Sequence, residues 1–204
     1  MVIDKSLFNI GKYHYKRFRG ASWLRIFYHN AKLGKGFNSE SEAKSSNTKY
    51  KFSILEEVND ERYKFNGKYE FLLQFSERGE GFNWWRQTNF PLNEKDDDTT
   101  KNMVIGYENV SISWFEHEWG GLAKSILSHG SCVPCLIDGS IGSPNYHYAI
   151  GNYGCNGYFL DSTPSNEITA VDEVILWMRV PDIENNFAVS CKAKRIRAPF
   201  NLLF

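Results

Sequence analysis

Several stretches of the chain alternate apolar and polar positions with a period of two, the spacing of a pleated strand with one face buried. "SWLRIFYHN" sets Trp23, Arg25 and Phe27 against Leu24, Ile26 and Tyr28. "KYEFLLQFSE" places Tyr69, Phe71, Leu73 and Phe75 on one face. "NVSISWF" sets Val110, Ile112 and Trp114 against Asn109, Ser111 and Ser113, and "DEVILWMRVP" lines up Val174, Leu176, Met178 and Val180 before Pro181 stops the strand. "YHYAIG" and "GYFLDS" form a further pair of strand candidates on either side of the turn-forming "NYGCN".

One stretch breaks the period. "SESEAKSSNTKYKFSILEEV" opens with Ser39 and Glu42 at capping-box spacing, and Tyr50, Ile54, Leu55 and Val58 fall on one helical face. This predicts a helix. "NEKDDDTTKN", residues 93 to 102, is a polar, charged loop. Many short strands between turn signals, with a single early helix, predict an all-β fold: an antiparallel β-sandwich or jelly roll with one short N-terminal helix.

The 204 residues suit one large domain with extensions. Aromatic residues make up 16% of the chain, the composition of a pleated, ring-packed interior. The expected organisation is an N-terminal extension over 1–20, the β domain over 21–183 and a C-terminal strand with an apolar tail over 184–204. The tail "APFNLLF" carries Phe200, Leu202, Leu203 and Phe204, side chains expected to dock on a neighbouring subunit or on the chain's own core. Lys+Arg and Asp+Glu balance at 24 each, so nucleic acid is not the expected partner. The cluster "KAKRIR", Lys192 to Arg197, reads as the solvated face of an edge strand. "MVIDKSLFNIGKYHYKRF" holds no apolar run of signal-peptide length, and no stretch approaches the length of a membrane span. Four cysteines are too few for a disulfide scaffold, which points to a reducing site of synthesis.

Candidate chemistry is sparse. "SHGSCVPC" gives His129, Cys132 and Cys135 a zinc-like spacing, with His147 or Cys155 as a fourth ligand, but the second close ligand pair of a structural zinc site is missing. Unpaired cysteines are the expectation, with zinc and a Cys132–Cys135 disulfide as the alternatives, and no metal or cofactor is expected. A Cys-His hydrolase would use Cys132 or Cys135 with His147 as base and Asp161 or an Asn as orienting group. Pro134, Gly139 and Gly142 leave no room there for the helix that usually carries such a nucleophile. Glu116, Glu118 and Asp138 lie near aromatic residues without a pattern that dictates a glycosidase pair. No catalytic residue is expected.

"FNWWRQTNFP" is harder to pass over, because adjacent tryptophans on a strand point to opposite faces. With "HEWGGL" and "LIDGSIGSPNYH" it makes three turns in which rings stand beside Asn, Gln, Asp or Gly, the pairing that sugar binding uses. The expected ligand-binding residues are Trp85, Gln87, Asn89, Trp119, Asp138, Asn145 and His147.

The order "GKYEFLLQFSE", "NWWRQTNFP", "VIGYENVSISW", "WGGLAKS", "IDGSIGSPNYHYAIG" and "VDEVILWMRV" resembles a poorly characterised lectin-like all-β domain of bacteriophage and large-virus structural proteins and of microbial extracellular proteins. The match runs from about Trp23 to Val180. It departs from the family pattern at Asn89-Phe90-Pro91, where the family joins Asn to Pro, and at "SHGSCVPC". The resemblance implies a non-enzymatic structural or binding module of a virion or extracellular surface, with Trp85, Gln87 and Asn89 on a surface groove and Trp84 packed inward. Its expected partners are other subunits of an assembly, itself included, and a glycan or receptor, without membrane insertion. The alternatives are the Cys-His hydrolase and a purely structural assembly subunit.

Overall fold

A computed structural model describes residues 7–33, 36–76, 81–93, 104–114, 119–124, 136–138, 150–151, 159–162 and 168–182. The chain divides into two compact units, one formed by residues 1–24 and 179–204, the other by residues 25–178. The fold is all-β and mostly antiparallel, with one short α-helix among the described residues.

In the smaller unit β1 (Leu7–Ile10), β2 (Tyr13–Phe18) and the start of β3 (Ala21–Asn30) pair in sequence as antiparallel hairpins. Arg19 and Gly20 join β2 to β3 with φ of 49° and 75°, a turn whose twist matches that of the flanking strands. The Trp23 indole donates to the Phe18 carbonyl at 3.1 Å, which pins this turn to the strand it feeds.

The larger unit begins with the second half of β3. The helix expected from Ser39 to Val58 is much shorter: α1 spans only Glu40–Lys44. Ser39 does cap it, accepting from the Glu42 N–H at 3.1 Å, while the Glu42 carboxylate reaches back to the Asn38 N–H at 2.6 Å. After Lys44 the chain turns into β4 (Ser45–Asn47) and β5 (Lys51–Ile54), a hairpin that pairs onto β3. Serine, asparagine and threonine propagate a helix poorly, which disfavours one through Ser45, Ser46, Asn47 and Thr48, and the Thr48 hydroxyl accepts from the Lys51 N–H at 3.0 Å to close the turn. Of the helical stripe, Ile54, Leu55 and Val58 are still buried, through a single turn closed by the Val58 N–H on the Ile54 carbonyl.

The remaining strands are β6 (Tyr69–Phe75), β7 (Asn83–Gln87), β8 (Glu108–Ile112), β9 (Ala123–Lys124), β10 (Ile137–Asp138), β11 (Phe159–Ser162), β12 (Ile168–Val171) and β13 (Glu173–Val180). Here the sheet runs β3–β13–β6–β7–β8. β9 pairs with β10, which Ile150 bridges through Ile137, and β11 pairs with β12. On the first face of the sheet, Val174, Leu176 and Met178 lie in register with Phe75, Leu73 and Phe71, and all six are buried as the alternation predicts. On the second face, Trp177 stands opposite Leu72 and donates to the Gln74 side chain at 2.8 Å.

Candidate binding face

β7 decides where the functional-looking residues go. Asn83, Trp85 and Gln87 take its first face and Trp84 and Arg86 its second. The orientation is the reverse of the one expected from the sequence. Trp85 is fully buried, opposite Phe71, and Trp84 is the half-buried ring on the other side.

Trp85 meets Trp119 edge to face, with centroids 4.8 Å apart, and the Phe71 ring at 5.5 Å. Phe90 packs against Tyr69 at 5.3 Å and Phe71 at 6.1 Å, so Phe90 serves as a core ring. Gln87 lies in the middle with all four of its side-chain hydrogen bonds made. Its Oε1 accepts from Trp85 Nε1 at 2.7 Å and from the Leu122 N–H at 3.1 Å, and its Nε2 donates to the carbonyls of Asn89 at 2.7 Å and Leu122 at 2.8 Å. Gly121 passes so close that a Cβ there would stand 2.9 Å from Gln87 Oε1 and 3.1 Å from Trp85 Nε1, and its φ is +89°. The second glycine of "WGG" therefore has no substitute with a side chain.

Trp85, Gln87 and Trp119 thus form a core clamp and do not line a surface groove. Asn89 is half-buried and its carbonyl is bound to Gln87. Asp138 lies on β10 in register with Ala123, and Asp161 on β11 in register with Thr169. Asn145, His147, His129, Cys132, Cys135, Cys155, Glu116, Glu118, the 94–102 loop, Lys192–Arg197 and the tail from Phe200 to Phe204 lie outside the described residues.

The second face carries a different arrangement. Glu70, Arg86 and Glu108 are direct cross-strand neighbours on β6, β7 and β8. Trp84 Nε1 donates to Glu70 Oε1 at 2.7 Å, and Arg86 Nε pairs with Glu70 Oε2 at 3.2 Å. Arg86 Nη1 reaches Glu108 Oε1 at 2.7 Å, and Lys68 Nζ reaches Glu108 Oε2 at 3.1 Å. Exposure rises along the row: the Glu70 side chain is 1% exposed, Arg86 33% and Glu108 43%. The face is closed at β6 and opens toward β8. Between Trp84 and Trp85 the β7–β8 register shifts, a bulge of the kind that re-aims side chains beside binding sites.

The charges reinforce one another. Burial alone would lower the Arg86 pKa, but hydrogen bonds and charge from Glu70 and Glu108 outweigh it and hold the guanidinium above its ordinary value. Hydrogen bonds from Lys68 and then Arg86 hold the Glu108 carboxyl below its ordinary value. The outcome is a half-buried indole, anchored through its N–H to a buried carboxylate, beside an Arg–Glu–Lys row. Such a surface can stack a flat apolar ligand face and hydrogen-bond its polar edge without first having to order itself.

Two features of the sequence point to this row. Asn66-Gly67, with φ of 52° and 77°, is a strong hairpin turn, and it delivers Lys68 to the start of β6. Glu70, set between Tyr69 and Phe71, has to face away from the core that the alternation defines.

Among the described residues no helix is long and apolar enough to cross a membrane, and no three His, Cys, Asp or Glu side chains come together as metal ligands. The chain matches no family model, no curated protein and no solved structure.

Proposed function

We propose that this chain is a non-enzymatic structural and binding module that takes a glycan on the second face of β6–β8. The observation that carries the reading is Trp84, a half-buried ring anchored to the buried Glu70 carboxylate and flanked by Arg86 and Glu108. The apolar face of a pyranose stacks on the indole, and its hydroxyls take the bidentate hydrogen bonds that a guanidinium and a carboxylate offer. The setting, a subunit of a virion or extracellular surface in contact with other subunits, is the one that the order of motifs implies.

The test is a glycan array probed with the full chain and with Trp84→Ala, both checked for fold by circular dichroism. The expected result is binding by the parent chain that weakens by roughly 1–3 kcal/mol in the variant, the size of an interface hot spot. Undiminished binding by folded Trp84→Ala would remove the site. No binding to any glycan, together with assembly into a larger particle, would favour the purely structural subunit.

A further inference from the structure

We infer that the ligand of this face is an acidic sugar, whose carboxylate takes the place of Glu108 between Arg86 and Lys68. The inference rests on the glycan reading above and specifies its chemistry.

Two cations, Arg86 on β7 and Lys68 in the turn before β6, converge on one carboxylate, at 2.7 Å and 3.1 Å, and that carboxylate belongs to the most open member of the row. Lys68 and Arg86 are themselves 30% and 33% exposed, so the grip is within reach of a ligand and is not sealed in the core. Glu108 differs from Glu70 in what its departure would leave. Releasing Glu70 would abandon a buried carboxylate, whereas Glu108 can swing into water at little cost because exposed ion pairs are weak. Arg86 would still be held by Glu70 through Nε, with its orientation kept and Nη1 offered to the incoming anion.

The spacing fits a sugar acid. Trp84 and Arg86 are two residues apart on one face of a strand, about 6–7 Å. That span accommodates a pyranose on the indole with its exocyclic carboxylate on the guanidinium. Charge agrees as well: with Glu108 turned away, Lys68, Arg86 and Glu70 leave one net positive charge for the ligand to neutralise.

The experiment measures binding of oligogalacturonides, their methyl esters and a glutamate-rich peptide to the full chain, to Glu108→Gln and to Lys68→Gln, with fold followed by circular dichroism. The acid should bind more tightly than the ester. Glu108→Gln, which removes the internal competitor, should tighten it by about two- to fivefold, and Lys68→Gln should weaken it by a similar factor. Equal binding of acid and ester would overturn this inference and leave the glycan reading in place. Binding of neither sugar would overturn this inference, while the glycan reading stands or falls separately on the array. Tighter binding of the peptide than of the sugar acid would overturn the sugar and keep only the anion. Weaker acid binding by folded Glu108→Gln would show that Glu108 contacts the ligand, and so would overturn its displacement.

Discussion

Trp84 and Trp85 are neighbours in the chain, and each donates its indole N–H at 2.7 Å, yet they serve opposite ends of the design. Trp85 gives its proton to a neutral amide, inside a cluster of rings, in a network where every Gln87 donor and acceptor is already matched. Gln87 keeps no donor or acceptor for a ligand. Trp84 gives its proton to a carboxylate that also holds an arginine, at the edge of a row that opens to solvent. The comparison shows that an aromatic–amide motif is not a binding element by composition alone. What decides is whether its polar atoms are already consumed by the chain's own backbone.

The sharpest way to break the comparison is truncation of each ring. Trp85→Ala should destabilise the fold by about 3–5 kcal/mol, lowering the melting temperature by about 10 °C or more. Trp84→Ala should cost about 1 kcal/mol while reducing ligand binding. Thermal melts of the two variants side by side decide it. Equal losses would mean that the second face is core as well, and the site would fall with that result.

Smaller effects probe the clamp itself. Gln87→Met keeps the volume and removes the hydrogen bonds, leaving the Leu122 N–H and carbonyl, the Asn89 carbonyl and the Trp85 N–H without this partner. At about 1–3 kcal/mol for a buried group left unsatisfied, an overall loss of about 2–3 kcal/mol is expected in urea titration. Gly121→Ala places a methyl group against Gln87 and Trp85 at a positive φ, and should cost about 1–3 kcal/mol. A neutral result at Gly121 would mean that the 119–122 segment can lift off β7 without loss, and the clamp would then be a contact of convenience.

The strands were legible because burial imposes a period of two, and Tyr69, Phe71, Leu73, Val174, Leu176 and Met178 obey it without exception. The helix was overextended because Ile54, Leu55 and Val58 satisfy a helical stripe with one turn as well as with five, while the intervening serines, Asn47 and Thr48 favour a hairpin. For the paired tryptophans, alternation could say that they face opposite ways but not which way is in. That depends on pairing, since Trp85 falls opposite Phe71 and Trp84 opposite Leu72. The Glu70–Arg86–Glu108 row is likewise written in register, a relation among three strands that no single stretch of sequence displays.

The smallest expected effect separates the two regions by the kind of force that holds them. The second-face row is ionic, and Glu108 is held below its ordinary pKa by Lys68 and Arg86. A carboxyl depressed in the folded state stabilises the fold above its unfolded pKa of about 4.3. That contribution is lost as pH falls through the lower folded value. The clamp on the first face is made of amides, an indole and backbone, none of which titrates in that range. Melting temperatures of the parent chain, Glu108→Gln and Gln87→Met at neutral pH and near pH 3 therefore make a direct test. Glu108→Gln should melt slightly below the parent at neutral pH and converge with it in acid, because the parent has by then lost the same charge. Gln87→Met should trail the parent by a similar margin at both. A Glu108→Gln deficit that persists unchanged in acid would mean that packing, not charge, holds β8 to the row, and the exchange of Glu108 for an incoming carboxylate would lose its physical basis.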